Sequence, residues 1–340
     1  RELEQRARVL SLGEASARDI DQAVRQLAER GELAERLVLA IDGATKKHTL
    51  QPGWTTRELI ATEGSMLRHE RQGRDAVMPL MNRPAAESLV RETRTIAAGN
   101  GFAWTDGQTE ATVGILAATS RVIGLQGYAG TAKTTTVLAT IAEAARQDGY
   151  FVKGMAPTTD ATRTLGRAIG SDAVTVQKQV ADLAMGRVIT SARQPKELWI
   201  VDEASLVGAR SMTTLLAGAA RQDARVLLVG DEKQLGSVEA GRAFAQLQEA
   251  GMPTFRLTEI VRQSNEATKE AVYAALQADA AKALTAIERG GGEVVEIQGR
   301  SHEEDAHDRR AFLAQRYVEL TPEERARTVL ADPSREGRKE

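Results

Sequence analysis

From Val122 onward the chain alternates short apolar runs with stretches whose apolar residues recur at helical spacing. RVIGLQG, YFVKGMAPT, ELWIVDEAS and ARVLLVGDE run largely apolar and then stop at glycine or polar residues. A strand that faces water on one side alternates apolar with polar. One covered on both faces is apolar throughout, so these four runs predict buried parallel strands. With helical segments between them the rhythm is βαβ, that of an open α/β sheet. Ligands of such sheets bind beyond the carboxyl ends of the strands.

Residues 1–95 follow a different pattern. In SARDIDQAVRQLAERGEL, Ser16 with Asp19 forms a capping box, Ile20, Val24 and Leu27 make one apolar stripe, and Gly31 supplies the stop, which predicts a surface helix. LVLAIDGATKKHTL predicts a short strand turning at Asp42-Gly43 into a second. WTTRELIATEGSMLRHE then opens another helix. Helices around a small hairpin suggest a winged-helix-like module. Pro79, Pro84 and the run AAGNG (97–101) punctuate the boundary after it.

Composition narrows the function classes. With 340 residues, 42% of them apolar, the chain can build two or three ordinary cores. The absence of cysteine excludes disulfides, thiolate metal sites and thiol catalysis. No run of 18 apolar residues occurs, and the first thirty residues are charged and helical, so we expect neither membrane insertion nor a secretory leader, and a cytoplasmic location. A net charge of −2 argues against a generally basic coat, yet 45 Lys and Arg can still line one groove, so charge alone neither selects nor excludes a nucleic-acid partner. The chain starts at Arg1 rather than a methionine and stops in SREGRKE, from which we expect a fragment of a larger protein.

The chemistry sits at the predicted strand ends. VIGLQG leads into GYAGTAKT and then into the apolar helix TTVLATIAEAA, the strand, loop and helix order that lets consecutive loop N–H groups and a helix N-terminus converge on a phosphate. Gly127, Gly130, Thr131, Ala132, Lys133, Thr134 and Thr135 form the candidate nucleotide-binding set. Within it Lys133 reaches the β- and γ-phosphates and Thr134 holds Mg²⁺. Glycine normally precedes the lysine, whereas here it is Ala132. Alanine tolerates a helical φ, while a positive φ there would break the cradle, so Gly127 and Gly130 are expected to carry the unusual dihedrals.

LWIVDEAS ends in adjacent carboxylates, with Asp202 directed to the metal and Glu203 to orienting and deprotonating the attacking water. In LLVGDEKQLGSV, Gln234 offers an uncharged amide that can report a γ-phosphate by hydrogen bonding. FRLTEIVRQ supplies Arg262, a guanidinium expected to reach the transferring phosphoryl group from a second domain.

GYAGTAKT, APTTDATRTL, IVDEAS, GDEKQLGSV and LTEIVRQ, in this order and at these intervals, resemble superfamily 1 DNA helicases of the RecD-like kind, and most of all the helicase half of conjugative relaxase-helicases of plasmids. The resemblance covers residues 100–265 by motif and 1–100 by helical layout. It implies RecA-like P-loop NTPase domains with ATP in their cleft and single-stranded DNA across them. The chain then divides into a winged-helix-like N-terminal domain at 1–95, a RecA-like motor domain at 96–254 and an incomplete second motor domain at 255–340. By the same resemblance Gln108 in WTDGQTEA reads adenine, Pro157, Thr158 and Thr159 contact the DNA strand, and Thr175 and Gln177 make a further contact. Family members often carry histidine where Gln177 stands. Thr hydroxyls and backbone N–H groups suit phosphate oxygens without reading sequence.

The implied activity is an ATP- and Mg²⁺-dependent translocase that unwinds plasmid DNA 5′ to 3′ in conjugative transfer. Its implied partners are single-stranded DNA, a relaxase domain of the same chain and conjugative transfer proteins. The later family motifs are absent, and TVLADPSREGRKE resembles the opening strand of the next one. His48, His69, His302 and His307 lack the spacing of a relaxase metal triad, and Tyr128, Tyr150, Tyr273 and Tyr317 lack a nucleophile's neighbourhood, so nicking chemistry is expected outside this chain. Trp54 and Trp104 are candidate base-stacking residues expected to pack in small cores instead, and Trp199 is expected in the main core. The alternative reading is a DNA-binding or docking module with a degenerate P-loop. A P-loop kinase fits less well, because kinases lack the GDEKQ and LTEIVRQ steps.

Overall fold

The computed structural model describes residues 16–41, 48–128, 130–187, 196–234, 240–263, 265–297 and 302–331. Helix α1 (Ala17–Glu29) starts at the Ser16–Asp19 capping box. Strands β1 (Leu33–Ile41) and β2 (His48–Thr56) pair antiparallel from Leu33↔Thr56 to Ile41↔His48, and the Asp42-Gly43 turn between them lies outside the described residues. Thr56 caps α2 (Arg57–Gln72), so the segment beginning at Trp54 finishes a strand before it starts a helix. Asn82 and Pro84 open α3 (Arg83–Gly99), and Thr105 caps α4 (Asp106–Leu116).

The α/β region follows. Strand β3 (Val122–Gly127) leads through the phosphate loop into a π-helical turn (Lys133–Leu138) continued by α5 (Ala139–Gln147). Then come β4 (Phe151–Ala156), α6 (Thr159–Ile169), β5 (Ala173–Thr175), α7 (Val176–Ala184) and β6 (Glu197–Val201). A 3-10 turn (Ala204–Leu206), α8 (Ala209–Arg221), β7 (Arg225–Gly230), α9 (Ala243–Glu249) and β8 (Thr254–Leu257) complete it. The six strands β3–β8 form one parallel sheet in the order β5-β4-β6-β7-β3-β8.

Alternate residues of each strand point to opposite faces, and each face has its own core. Ile123, Leu125, Leu198, Ile200, Leu227 and Val229 pack under α3, α4, α5 and α6. Val122, Trp199, Val201, Val226 and Leu228 pack on the other face with Met66 of α2, Leu215 of α8 and Phe244 of α9. Both faces are covered, which is why the strands read as unbroken apolar runs. Trp199 and Trp104 are buried, but Trp54 is 45% exposed rather than in a small core, because on the hairpin it stands opposite the exposed Glu35. No described helix is long and apolar enough to cross a membrane.

Contacts divide the chain into two compact units, Arg1–Arg262 and Gln263–Glu340. The described part of the second holds α10 (Glu266–Leu276), α11 (Ala280–Arg289), α12 (His302–Glu319) and the single turn α13 (Pro322–Arg325). The strand expected at TVLA (328–331) does not form; among the described residues this unit contains no strand for it to pair with.

Candidate active site at the carboxyl edge of the sheet

Because all six strands run parallel, their carboxyl ends share one edge, and each motif occupies its own station along it. Pro157, Thr158 and Thr159 follow β4, Thr175 ends β5 and Gln177 lies just beyond it. Asp202 and Glu203 follow β6, Asp231 follows β7, the phosphate loop follows β3, and Arg262 lies beyond β8. A cavity of about 390 Å³ is lined by residues 130–135 of the loop together with Asp202, Glu203, Ser205, Asp231, Gln234 and Arg262. Thus Lys133, Thr134, both acids, the amide and the guanidinium singled out by sequence face one space.

The loop is held by its own side chains. Lys133 Nζ donates to the carbonyls of Gly127 and Tyr128, the latter at 3.0 Å. Thr131 Oγ1 also donates to Tyr128 O at 2.9 Å. Backbone N–H groups of Val261 and Arg262 both donate to Gly130 O, at 2.9 and 3.0 Å. Arg262, expected to reach in from a second domain, is therefore the last residue of the first unit, tied by its main chain to the loop.

The dihedrals differ from expectation. Gly130 takes a positive φ of 85°, but the second left-handed residue is Ala132 (φ 52°, ψ 34°), not Gly127. Gly127 is required for space instead, since a Cβ there would lie 2.9 Å from Lys133 Cδ and 3.0 Å from Thr131 Oγ1. With its positive φ Ala132 still lines the cavity beside Lys133 and Thr134. Its carbonyl accepts from Thr136 Oγ1 (2.6 Å) and Thr136 N–H (3.2 Å), in the π-helical turn that leads into α5.

The acids are arranged asymmetrically. Burial raises the pKa of Asp202 above the ordinary carboxylate range, against the opposing pull of the Glu203 N–H (2.9 Å), Lys133 and the Thr134 hydroxyl hydrogen-bonded to it. Glu203, more open and itself left-handed (φ 50°), is also raised, first by burial and then by the charge of Asp202. Burial lowers Lys133, with Asp231 and Asp202 opposing. A raised carboxylate next to a cavity has the basicity suited to taking a proton from water. The Thr134–Asp202 pair is a donor set suited to a hard divalent cation that completes its shell with phosphate oxygens. Among the described residues no cluster of three or more acidic or histidine side chains is placed to hold a metal alone.

Gln234 Nε2 donates to Asp231 Oδ2 at 3.1 Å. Asp231, which sequence reasoning left out, is buried and also accepts from Gln126 Nε2 (3.3 Å) and Lys233 N–H (3.0 Å). Its signal was available as the first polar residue after an apolar strand. Thr136 was missed as well, because its role depends on the conformation of Ala132.

Gln108 is 2% exposed, and its amide is engaged within the chain. Oε1 accepts from Thr105 N–H (3.0 Å) and Nε2 donates to Thr131 O (2.9 Å), which occupies one of the two acceptor positions and one of the two donor positions of the buried amide. The strand-contact candidates lie further along the edge. Thr158 caps α6 and Thr175 caps α7, each hydroxyl accepting a helix N–H at 3.2 Å, and Thr159 and Gln177 are exposed. Ala156 is in register with Thr175, so the two segments are neighbours.

Comparison with known proteins agrees with these motifs. Residues 103–297 match the AAA domain family. The multifunctional conjugation protein TraI of Escherichia coli K12 is 32% identical over 240 residues, which cover 68% of this chain and 13% of TraI. The ATP-dependent RecD2 DNA helicase of Deinococcus radiodurans is 41% identical over 145 residues, 42% of this chain and 20% of that protein. The chain thus spans only a small part of the curated relatives it matches. The solved Pif1 helicase from Candida albicans superimposes with a TM-score of 0.39 at 19% identity, over 51% of this chain and 44% of Pif1, too partial a likeness to carry argument.

Proposed function

The chain belongs to the AAA domain family and is similar to RecD-like superfamily 1 helicases, and from that premise we propose that it is the motor segment of an ATP-dependent single-stranded DNA translocase and helicase. The proposal extends to 5′ to 3′ travel and to unwinding plasmid DNA in conjugative transfer. In it the chain is part of a larger relaxase-helicase, works in the cytoplasm, and acts alongside its own relaxase domain and conjugative transfer proteins. The observation that carries the reading is the shared cavity, where Lys133, Thr134, Asp202, Glu203, Gln234 and Arg262 meet beside the loop.

In this reading the amides of residues 127–134 bind the phosphates and Lys133 supplies positive charge to the β- and γ-groups. When bound, Mg²⁺ neutralises charge on the phosphoryl oxygens, with Thr134 and Asp202 as its protein ligands. Glu203 orients the attacking water and accepts its proton, Gln234 reports the γ-phosphate, and Arg262 adds charge at the transferring group. Pro157, Thr158, Thr159, Thr175 and Gln177 hold the DNA strand through hydroxyl and backbone N–H groups.

Magnesium-dependent ATP hydrolysis that rises with single-stranded oligonucleotide and is lost in Lys133→Ala is the expected result. DNA binding without Mg-ATP binding would replace this reading with the docking module.

A further inference from the structure

We infer that Gln108 is a positioning residue that holds the phosphate loop in the left-handed turn at Ala132, a turn glycine would adopt unaided. The inference rests on the nucleotide-site reading above. A residue's φ and ψ are fixed once the peptides on either side of it are fixed, and both peptides flanking Ala132 are captured through their carbonyls. The one before it, Thr131 C=O, accepts from Gln108 Nε2 at 2.9 Å. The one after it, Ala132 C=O, accepts from Thr136 Oγ1 at 2.6 Å.

Gln108 is itself immobilised. Its Oε1 takes the Thr105 N–H, its own N–H donates to Thr105 Oγ1 at 3.1 Å, and the side chain is buried. The capping box that starts α4 thus aims the free end of the same amide at the loop. Where the motif normally has glycine, this chain has an alanine that disfavours the required conformation, together with two side chains from different elements that enforce it.

Gln108→Glu separates the two bonds, because a carboxylate still accepts from Thr105 N–H but cannot donate to Thr131 O. In the full chain, amide hydrogen exchange over residues 130–136 is expected to speed up about tenfold, the effect of losing one buried hydrogen bond. The kcat/KM for ATP, GTP and inorganic triphosphate is expected to fall by a similar factor for all three. Adding Ala132→Gly in the same chain should recover most of both losses. Thr136→Val, which removes the hydroxyl bond to Ala132 O at nearly unchanged shape and keeps the Thr136 N–H bond, should give the same signature in smaller degree and the same rescue, and it serves if Gln108→Glu does not fold. A loss confined to ATP with unchanged loop exchange would make Gln108 a base reader and overturn the inference, as would failure of Ala132→Gly to rescue. If the unaltered chain turns over no nucleotide, the proposed function fails while the exchange measurement still decides the tether.

Discussion

Ala132 and Glu203 are both left-handed, at φ 52° and 50°, and both line the same cavity. Backbone strain at a site persists only where its surroundings over-determine it. A non-glycine residue in this conformation costs roughly 1–2 kcal/mol, and glycine returns part of that, about 0.4–1 kcal/mol, through the greater freedom of the unfolded chain. Ala132→Gly is therefore expected to stabilise the protein by about 0.5–1 kcal/mol, read as a higher urea midpoint at unchanged slope. An unchanged or lower midpoint would mean that the turn is not strained. Residue type alone assigned the unusual dihedrals to Gly127 and Gly130. It could not find Ala132, because the bonds that hold that turn come from Gln108 and Thr136, on other elements. Glu203 carries the second expectation at this scale. Its pKa is raised, and a base works only when deprotonated, so turnover should fall as pH drops through a value above the ordinary carboxylate range. Glu203→Gln should lower kcat about 100-fold or more and remove that acidic limb. A limb that survives the substitution belongs to another group.

The elements legible in sequence were those buried on both faces. Strands β3, β4, β6 and β7 announced themselves as apolar runs, because each is flanked by two strands and covered by helices. The strands at the sheet's edges did not. Ala173–Thr175 is three half-buried residues, and Thr254–Leu257 buries only Leu257, so neither carries a periodic signal. Yet β8 shapes the site, since α4 lies against it and α4 carries Gln108. A Cβ at Gly114 would lie 2.1 Å from Phe255 Cε1, so glycine sets how closely α4 approaches the sheet. Gly114→Val should push α4 outward, cost about 1–3 kcal/mol as an overpacked contact does, and loosen the Gln108–Thr131 bond. Thermal unfolding together with nucleotide affinity checks this; lost stability with intact affinity would uncouple the helix from the loop.

At the scale of the molecule, the two compact units differ in what they bury. The first wraps a six-stranded sheet between two cores containing Trp199, Phe244, Leu125 and Ile141, and the helices of its N-terminal segment contribute Met66, Ala86 and Val90 to those cores. That sharing was not visible in sequence, where Pro79, Pro84 and the glycine run read as a boundary, because punctuation marks where the chain turns and not which surface it then packs on. In the second unit the buried apolar residues among those described are Ala271, Ala274, Ala283 and Ala286, while Leu284, Ile287, Leu313 and Val318 are exposed. Local stability follows the apolar area withdrawn from water, and an alanine side chain withdraws little. Backbone amides of α10 and α11 are therefore expected to exchange with solvent at least 100-fold faster than those of β3, β6 and β7, a gap of about 3 kcal/mol in opening free energy. Hydrogen exchange on the whole chain measures it directly. Equal protection in the two sets would show that the second unit draws stability from burial beyond its own alanines, and protection of α10 and α11 that survives addition of salt to about 1 M would exclude surface ion pairs such as Lys269–Glu266 as its source.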